Sequence, residues 1–222
     1  MSQIFLYAEV QASVPFTSVP WQNMNPAMKN EPGLIRKTWL SGLETSSVGG
    51  IYEFDTVDNA RRYVDHYLVN EARRVGGAGS LMTRLYDARV TEDASRDMRS
   101  PWLVPRAAPP SAKRIFVFND MHWNKPFHEV PWRELNVQLK QQRGLLTKQW
   151  LSGIATHSVA GFYEFDTKEN ALDFLYGMFA RECRHAGVTS NAKLFDGDIV
   201  ARASADMASP YFSTATSVRV AA

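Results

Sequence analysis

Cysteine is almost absent: Cys183 stands alone among 222 residues. A single thiol closes no internal disulfide, and no cysteine pair sits at zinc-ligand spacing. The pattern is that of a reduced protein, and a cytoplasmic location is the expectation. Long apolar runs are missing too. No stretch reaches the roughly 18 residues a membrane helix needs. The opening MSQIFLYAEVQAS lacks a charged region followed by an apolar core, so neither a signal peptide nor a membrane partner is expected. Net charge is small, with 25 Lys and Arg against 23 Asp and Glu, and the basic residues are scattered. That balance gives no reason to expect a nucleic-acid partner. Gly-x-Gly-x-x-Gly, P-loop and Gly-x-Ser-x-Gly signatures are also absent, which removes support for nucleotide binding and serine-type acyl transfer. What remains is 45% hydrophobic and 22% charged residues, an ordinary composition for a packed core.

The positive signal is a duplication. VPWQNMNPAMKNEPGLIRKTWLSGLETSSVGGIYEFDTVDNA, Val19 to Ala60, answers VPWRELNVQLKQQRGLLTKQWLSGIATHSVAGFYEFDTKENA, Val130 to Ala171. The offset holds from Ile4/Ile115 to Gly76/Gly187, and about 30 of 73 pairs are identical. The register resumes after a two-residue deletion, at Leu85-Tyr86-Asp87 against Leu194-Phe195-Asp196. Even the tails correspond, Asp97-Met98 with Ser100-Pro101-Trp102 against Asp206-Met207 with Ser209-Pro210-Tyr211. The domains read as 1–98 and 114–222, with a linker over 99–113 whose prolines and alanines favour an extended path.

Each copy shows one element order. IFLYAEV and IFVFNDM are apolar and aromatic, as strands are. Pro20 and Pro131 suit the first turn of a helix that ends before Gly33 and Gly144. LIRKTWL with GGIYEFD, and LLTKQWL with AGFYEFD, read as hairpins. Asp55-Thr56 and Asp166-Thr167 cap a second helix. Its apolar positions recur at helical spacing: Ala60, Tyr63, Val64, Tyr67 and Leu68, then Ala171, Phe174, Leu175, Met178 and Phe179. SLMTRLYDARV and AKLFDGDIVA supply a fourth strand. The order β-α-β-β-α-β predicts an α+β chain of two tandem ferredoxin-like units. Both helices of such a unit lie on one sheet face, so the other face needs a cover. The second copy supplies it if the two sheets face each other in an intramolecular, pseudo-dimeric α/β barrel. The chain then works as a monomer with an internal pseudo-dimer, or as a homodimer.

The run EPGLIRKTWLSGLETSSVGGIYEFDTVDNARRYVDHYL resembles the YdhR-type putative monooxygenases, within the dimeric α/β-barrel group that includes antibiotic-biosynthesis monooxygenases. Pro-Gly-Leu, Lys-x-Trp, Gly-Gly-Ile-Tyr-x-Phe-Asp and Asn-Ala carry the likeness, and copy 2 repeats Gly-Leu-Leu-x-Lys-x-Trp and Gly-Phe-Tyr-Glu-Phe-Asp. The resemblance implies a cofactor-independent monooxygenase. Such an enzyme deprotonates an aromatic or polyketide-like molecule, and the carbanion reacts with O2. No cofactor is expected, although the wider group has haem-degrading members and leaves room for haem or a metal. Cyclases, isomerases or dehydratases on the same scaffold, and non-catalytic small-molecule or haem binders, are the alternatives.

Candidate residues follow from both sources. Trp39 and Trp150 hold equivalent strand positions, as core or as walls for a flat ligand. Lys37 and Lys148 lie two residues earlier on the same face. They are expected to be solvated or paired, although a buried lysine there would stabilise a phenolate. Tyr52, Tyr163 and Tyr63 offer hydroxyls in the core. Four of the five histidines sit in copy 2, and a histidine suits proton abstraction near neutral pH. The expected bases are therefore His122, His128 and His157 in copy 2 and His66 in copy 1. Copy 2 also has Asp120, Trp123 and Asn124 where copy 1 has Glu9, Ala12 and Ser13. Asp120, His122 and His128 match no strong metal-ligand spacing, so no metal site is expected. Arg84 is a candidate for an anionic substrate group, and Cys183 reads as a small buried residue.

Overall fold

The structure, a computed structural model, describes residues 3–74, 76–106, 113–123 and 125–212. Residues 107–112 of the expected linker and Asn124 lie outside them. In the first repeat β1 (Ile4–Gln11), α1 (Trp21–Lys29), β2 (Leu34–Ser41) and β3 (Ser47–Phe54) follow in turn. Then come α2 (Val57–Tyr63), a π turn (Val64–Leu68), α3 (Val69–Arg74) and β4 (Met82–Asp87). The second repeat gives β5 (Ile115–His122), α5 (Trp132–Leu139), β6 (Leu145–Gly153) and β7 (Ser158–Phe165). It continues with α6 (Lys168–Phe174), a π turn (Leu175–Phe179), α7 (Ala180–Ala186) and β8 (Thr189–Asp196). Two short helices, α4 (Glu92–Asp97) and α8 (Ala201–Asp206), follow the fourth strands.

Strand order within the first repeat is β2-β3-β1-β4, and within the second β6-β7-β5-β8. These are two tandem ferredoxin-like units, as the element order predicts. The caps are the expected ones: Thr56 Oγ1 accepts from the Asn59 amide and Thr167 Oγ1 from that of Asn170, each at 3.2 Å. Gly33 and Gly144 take φ of +74° and +72° in the turns that lead from α1 and α5 into the next strands. An L side chain is strained there.

The compact units do not follow the repeat boundaries. One consists of residues 3–86, 105–106 and 196–212, the other of 87–104 and 113–195. Each unit is therefore completed by the segment that follows the other repeat's fourth strand. The reason is a set of polar groups that need partners. In the first unit the Trp39 amide donates to Ser204 Oγ (3.0 Å) and the Lys37 amide to the Met207 carbonyl (3.1 Å). Asn25 Nδ2 donates to the Ala203 carbonyl (3.0 Å) and to Asp206 (2.8 Å), while its Oδ1 accepts from Trp39 Nε1 (2.9 Å). The second unit repeats the set: Asn136 with the Ala94 carbonyl, Asp97 and Trp150 Nε1, and Ser95 with the Trp150 amide. Asn25 is fully buried, so Asn25→Ala strands the Trp39 indole N–H and the Ala203 carbonyl. At ~1–3 kcal/mol per orphaned group, a loss of about 2–4 kcal/mol is expected. Thermal unfolding should show a fall of roughly 5–15 °C in the melting midpoint.

Candidate functional site

Alternation places the chemistry on the sheet face beneath the helices. In the first unit Lys37 pairs with Tyr52 across β2 and β3, and Trp39 with Gly50. Ala8 of β1 lies opposite Gly50 from the other side. Lys37, Trp39, Tyr52 and Ala8 therefore share one face. Gly50 is what lets the lysine lie flat: a Cβ there would stand 2.6 Å from Lys37 Cε. The helices close over this face without filling it. A cavity of about 300 Å³ remains, lined by Ala8, Val10, Ala12, Met24, Met28, Lys37, Trp39, Tyr52, Tyr67, Leu68 and Ala72 among others. Exposed Ser13, Val14 and Arg74 also line it and mark its mouth. Tyr67 and Leu68 come from the π turn of the long helix, a distortion frequent at functional sites. Tyr67 stacks on Tyr63 at 5.0 Å, and Tyr63 packs against Tyr52 at 5.3 Å, so the back wall is aromatic.

Among the described residues, Lys37 is the one cation that is completely buried in this cavity wall. Its Nζ lies 2.8 Å from the centroid of the Trp39 ring and 4.6 Å from that of Tyr52. The heteroatom in reach is Met28 Sδ at 3.5 Å; no carboxylate among the described residues pairs with it. Two opposing effects act on its proton. Ring faces stabilise an ammonium by ~2 kcal/mol or more when desolvated. Removing an unpaired ammonium from water costs several kcal/mol. Desolvation wins, and burial holds the Lys37 pKa well below the ordinary lysine value. Tyr67 moves the other way, pushed up to about 12 by burial and by Glu71, and burial raises Tyr52. The site therefore combines an amine whose burial favours its neutral form with phenols that keep their protons at neutral pH.

The second unit has the same lysine but no comparable space. Lys148 is buried, with Nζ 2.7 Å from the Trp150 centroid and 4.7 Å from that of Tyr163, and its pKa is likewise lowered by burial. Its cavity measures only about 40 Å³. Position by position, Ala8, Val10, Ala12 and Leu68 of the first unit become Asn119, Met121, Trp123 and Phe179. Trp123 and Phe179 line the remnant, and Asn119 Nδ2 donates to Tyr163 Oη at 3.1 Å.

Burial of both amines has a consequence for stability. The unfolded chain keeps each lysine proton up to about pH 10.4, whereas the folded chain releases it at lower pH. Between the two values the unfolded state binds more protons, so stability rises with pH. Urea midpoints should therefore climb with pH as it approaches the unfolded lysine value from below, and this slope should flatten in the Lys37→Met, Lys148→Met double variant. Buried tyrosines add their own slope only above about pH 10.

The structure gathers some predicted residues and disperses others. Trp39, Tyr52 and Tyr63 build the first site, and Trp150, Tyr163 and Trp123 the closed second one. The histidines are elsewhere: His66, His122, His128 and His157 are all exposed, and none lines either cavity. His66 sits on the π turn but is exposed, and His128 approaches Glu129, at 4.0 Å. Arg84 is exposed on β4, its guanidinium donating to the Thr83 carbonyl. Lysines 37 and 148, expected to be solvated or paired, are neither. Cys183 is buried, as expected. No group of three or more His, Cys, Asp or Glu side chains is placed to hold a metal ion among the described residues. No described helix is long and apolar enough to cross a membrane.

Residues 8–96 match the family described as Putative mono-oxygenase ydhR. The resemblance read from the sequence is thus borne out for the first repeat, and every residue lining the larger cavity falls within the matched span. No curated protein matches the chain. Among solved structures, an anthrone oxidase-like protein superposes with a TM-score of 0.58 at 11% identity, over 87% of this chain and 90% of its own. A putative monooxygenase from Fusobacterium nucleatum gives 0.51 at 10% identity, over 88% and 92%. One from Lactobacillus acidophilus gives 0.51 at 8%, over 88% and 93%. At these identities the likeness is one of fold, and it extends over both repeats.

Proposed function

We propose that the first unit is a cofactor-independent monooxygenase site for a flat aromatic molecule with an acidic C–H or phenol, an anthrone being the simplest example. The observation that carries this reading is Lys37, a buried amine with no counter-ion among the described residues, in the wall of a cavity of about 300 Å³ that Trp39, Tyr52 and Tyr67 help to line. A volume of that order suits a small ligand. The indole of Trp39, held by Asn25 and by Phe16 edge-on at 5.6 Å, fixes the plane of the ligand. Tyr67, protonated at neutral pH, donates to its carbonyl. Neutral Lys37 removes one proton from the methylene, and the ammonium that forms stabilises the carbanion.

The carbanion passes an electron to O2, and the radical pair combines to a peroxide anion. Lys37 returns its proton to that peroxide. Loss of the second C–H proton together with hydroxide then leaves a ketone and water. In balance, CH2 + O2 gives C=O + H2O, and no external reductant enters. The names of the matched family and of the similar structures support an oxygenase, and the site supplies the base that the surface histidines do not. Oxygen-electrode traces with an anthrone should show one O2 consumed per ketone formed. Turnover that continues under argon would overturn the oxidative reading in favour of a cyclase, isomerase or dehydratase.

A further inference from the structure

We propose that Lys37 also captures aromatic aldehydes and ketones covalently, as an imine, which makes the first unit a carbonyl-binding site as well as a base. The geometry differs from that of an ordinary lysine in three respects. The amine is buried with no carboxylate partner among the described residues, so no ion pair with them has to be broken before it attacks. It borders a cavity whose aromatic walls hold an aryl group. The surroundings are mostly apolar, which slows the hydrolysis that returns an imine to its parts. Desolvated lysines without a counter-ion are nucleophiles of this kind.

In the reaction the Nζ lone pair attacks the carbonyl carbon and the C=O pair moves to oxygen. The carbinolamine then takes a proton at its hydroxyl and loses water, leaving C=N. The overall balance is amine plus carbonyl compound to imine plus water, with no change of oxidation state. Tyr67, which lines the same cavity and keeps its proton at neutral pH, is placed to supply the acid for the departing hydroxide.

The chain contains its own control. Lys148 has the same two rings around it but faces a space of only about 40 Å³. Burial and ring contact alone predict equal reactivity for the two lysines; a carbonyl site predicts a large difference. The experiment uses the full chain under argon at pH 7, with 2-naphthaldehyde and sodium cyanoborohydride, the hydride donor that converts the imine to a stable secondary amine. Peptide mapping then locates the added mass. Lys37 should be alkylated about tenfold or more faster than exposed Lys29 and Lys140, whose amines are held in ion pairs with Asp206 and Asp97, and Lys148 should stay unmodified. Labelling of Lys37 at the surface rate, or of Lys148 as fast as Lys37, would overturn the proposal. The reaction consumes no oxygen, so its outcome is separate from that of the oxygenase reading: uptake without labelling removes the imine alone, and labelling without uptake leaves it standing.

Discussion

Lys37→Met is expected to lower oxygen uptake with an anthrone by about 10²–10⁴-fold, the usual contribution of a positioned general base, while making the protein more stable. The two effects have one cause. An unpaired amine buried between Trp39 and Tyr52 is expensive to keep, and methionine fills similar volume without that penalty. A residue whose removal stabilises the fold and abolishes turnover is the signature of a functional group held against stability. Lys148→Met supplies the contrast. It should stabilise through the same relief of desolvation yet leave uptake unchanged, because the second unit has almost no space for a substrate. The pH profile adds a further test. The neutral amine is the active form, so kcat/KM should rise with pH through the depressed Lys37 pKa and level off above it. A surface histidine acting as base would instead give a limb that disappears in His66→Ala or His122→Ala. Both of those variants should keep the wild-type profile, since His66 and His122 are exposed and line no cavity.

The element order was legible because it rests on local rules: period-two apolar runs, prolines at helix starts, threonine caps and glycines at positive φ. The repeat doubled each of these signals. The exchanged segments were harder to read. Helices α4 and α8 span six residues each, too short for periodicity to register. The matching Asp-Met and Ser-Pro tails were visible in the sequence as similarity, but not as the partners of Asn25, Trp39 and Lys37. The site was hidden for a different reason. A lysine in a strand usually reaches its head to water, and nothing local to Lys37 announces that Gly50, Trp39 and Met28 hold it inside. The extra histidines of copy 2 stand out in the sequence but are exposed, and the two cavities differ instead in the bulk of the side chains that line them. Lys37 and Lys148, identical in both copies, are buried alike, and they differ in the space beside them, about 300 Å³ for Lys37 and about 40 Å³ for Lys148.

That difference in bulk yields the second large expected effect. Ala12→Trp combined with Leu68→Phe installs in the first unit the side chains that line the closed second cavity at Trp123 and Phe179. A flat aromatic ligand that buries about 200 Å² there gains ~5 kcal/mol at ~25 cal/mol per Å², so exclusion should weaken its binding by roughly 10³-fold. Stability should change little. Overpacking normally costs about 1–3 kcal/mol, but here the added groups enter existing space, and the second unit accommodates the same pair on an equivalent backbone. Titration of a naphthalene fluorophore would read the loss, and a melting midpoint within a few degrees of wild type would show that the fold survives. The reciprocal variant, Trp123→Ala with Phe179→Leu, should create dye binding in the second unit and destabilise it through the cavity left behind. If the opened second unit then consumes oxygen in a manner that depends on Lys148, space alone separates a working half from a silent one. If it binds dye without turnover, the first unit's Tyr67, which is Met178 in the second repeat, becomes the missing proton donor, and Met178→Tyr in the opened background should restore the reaction.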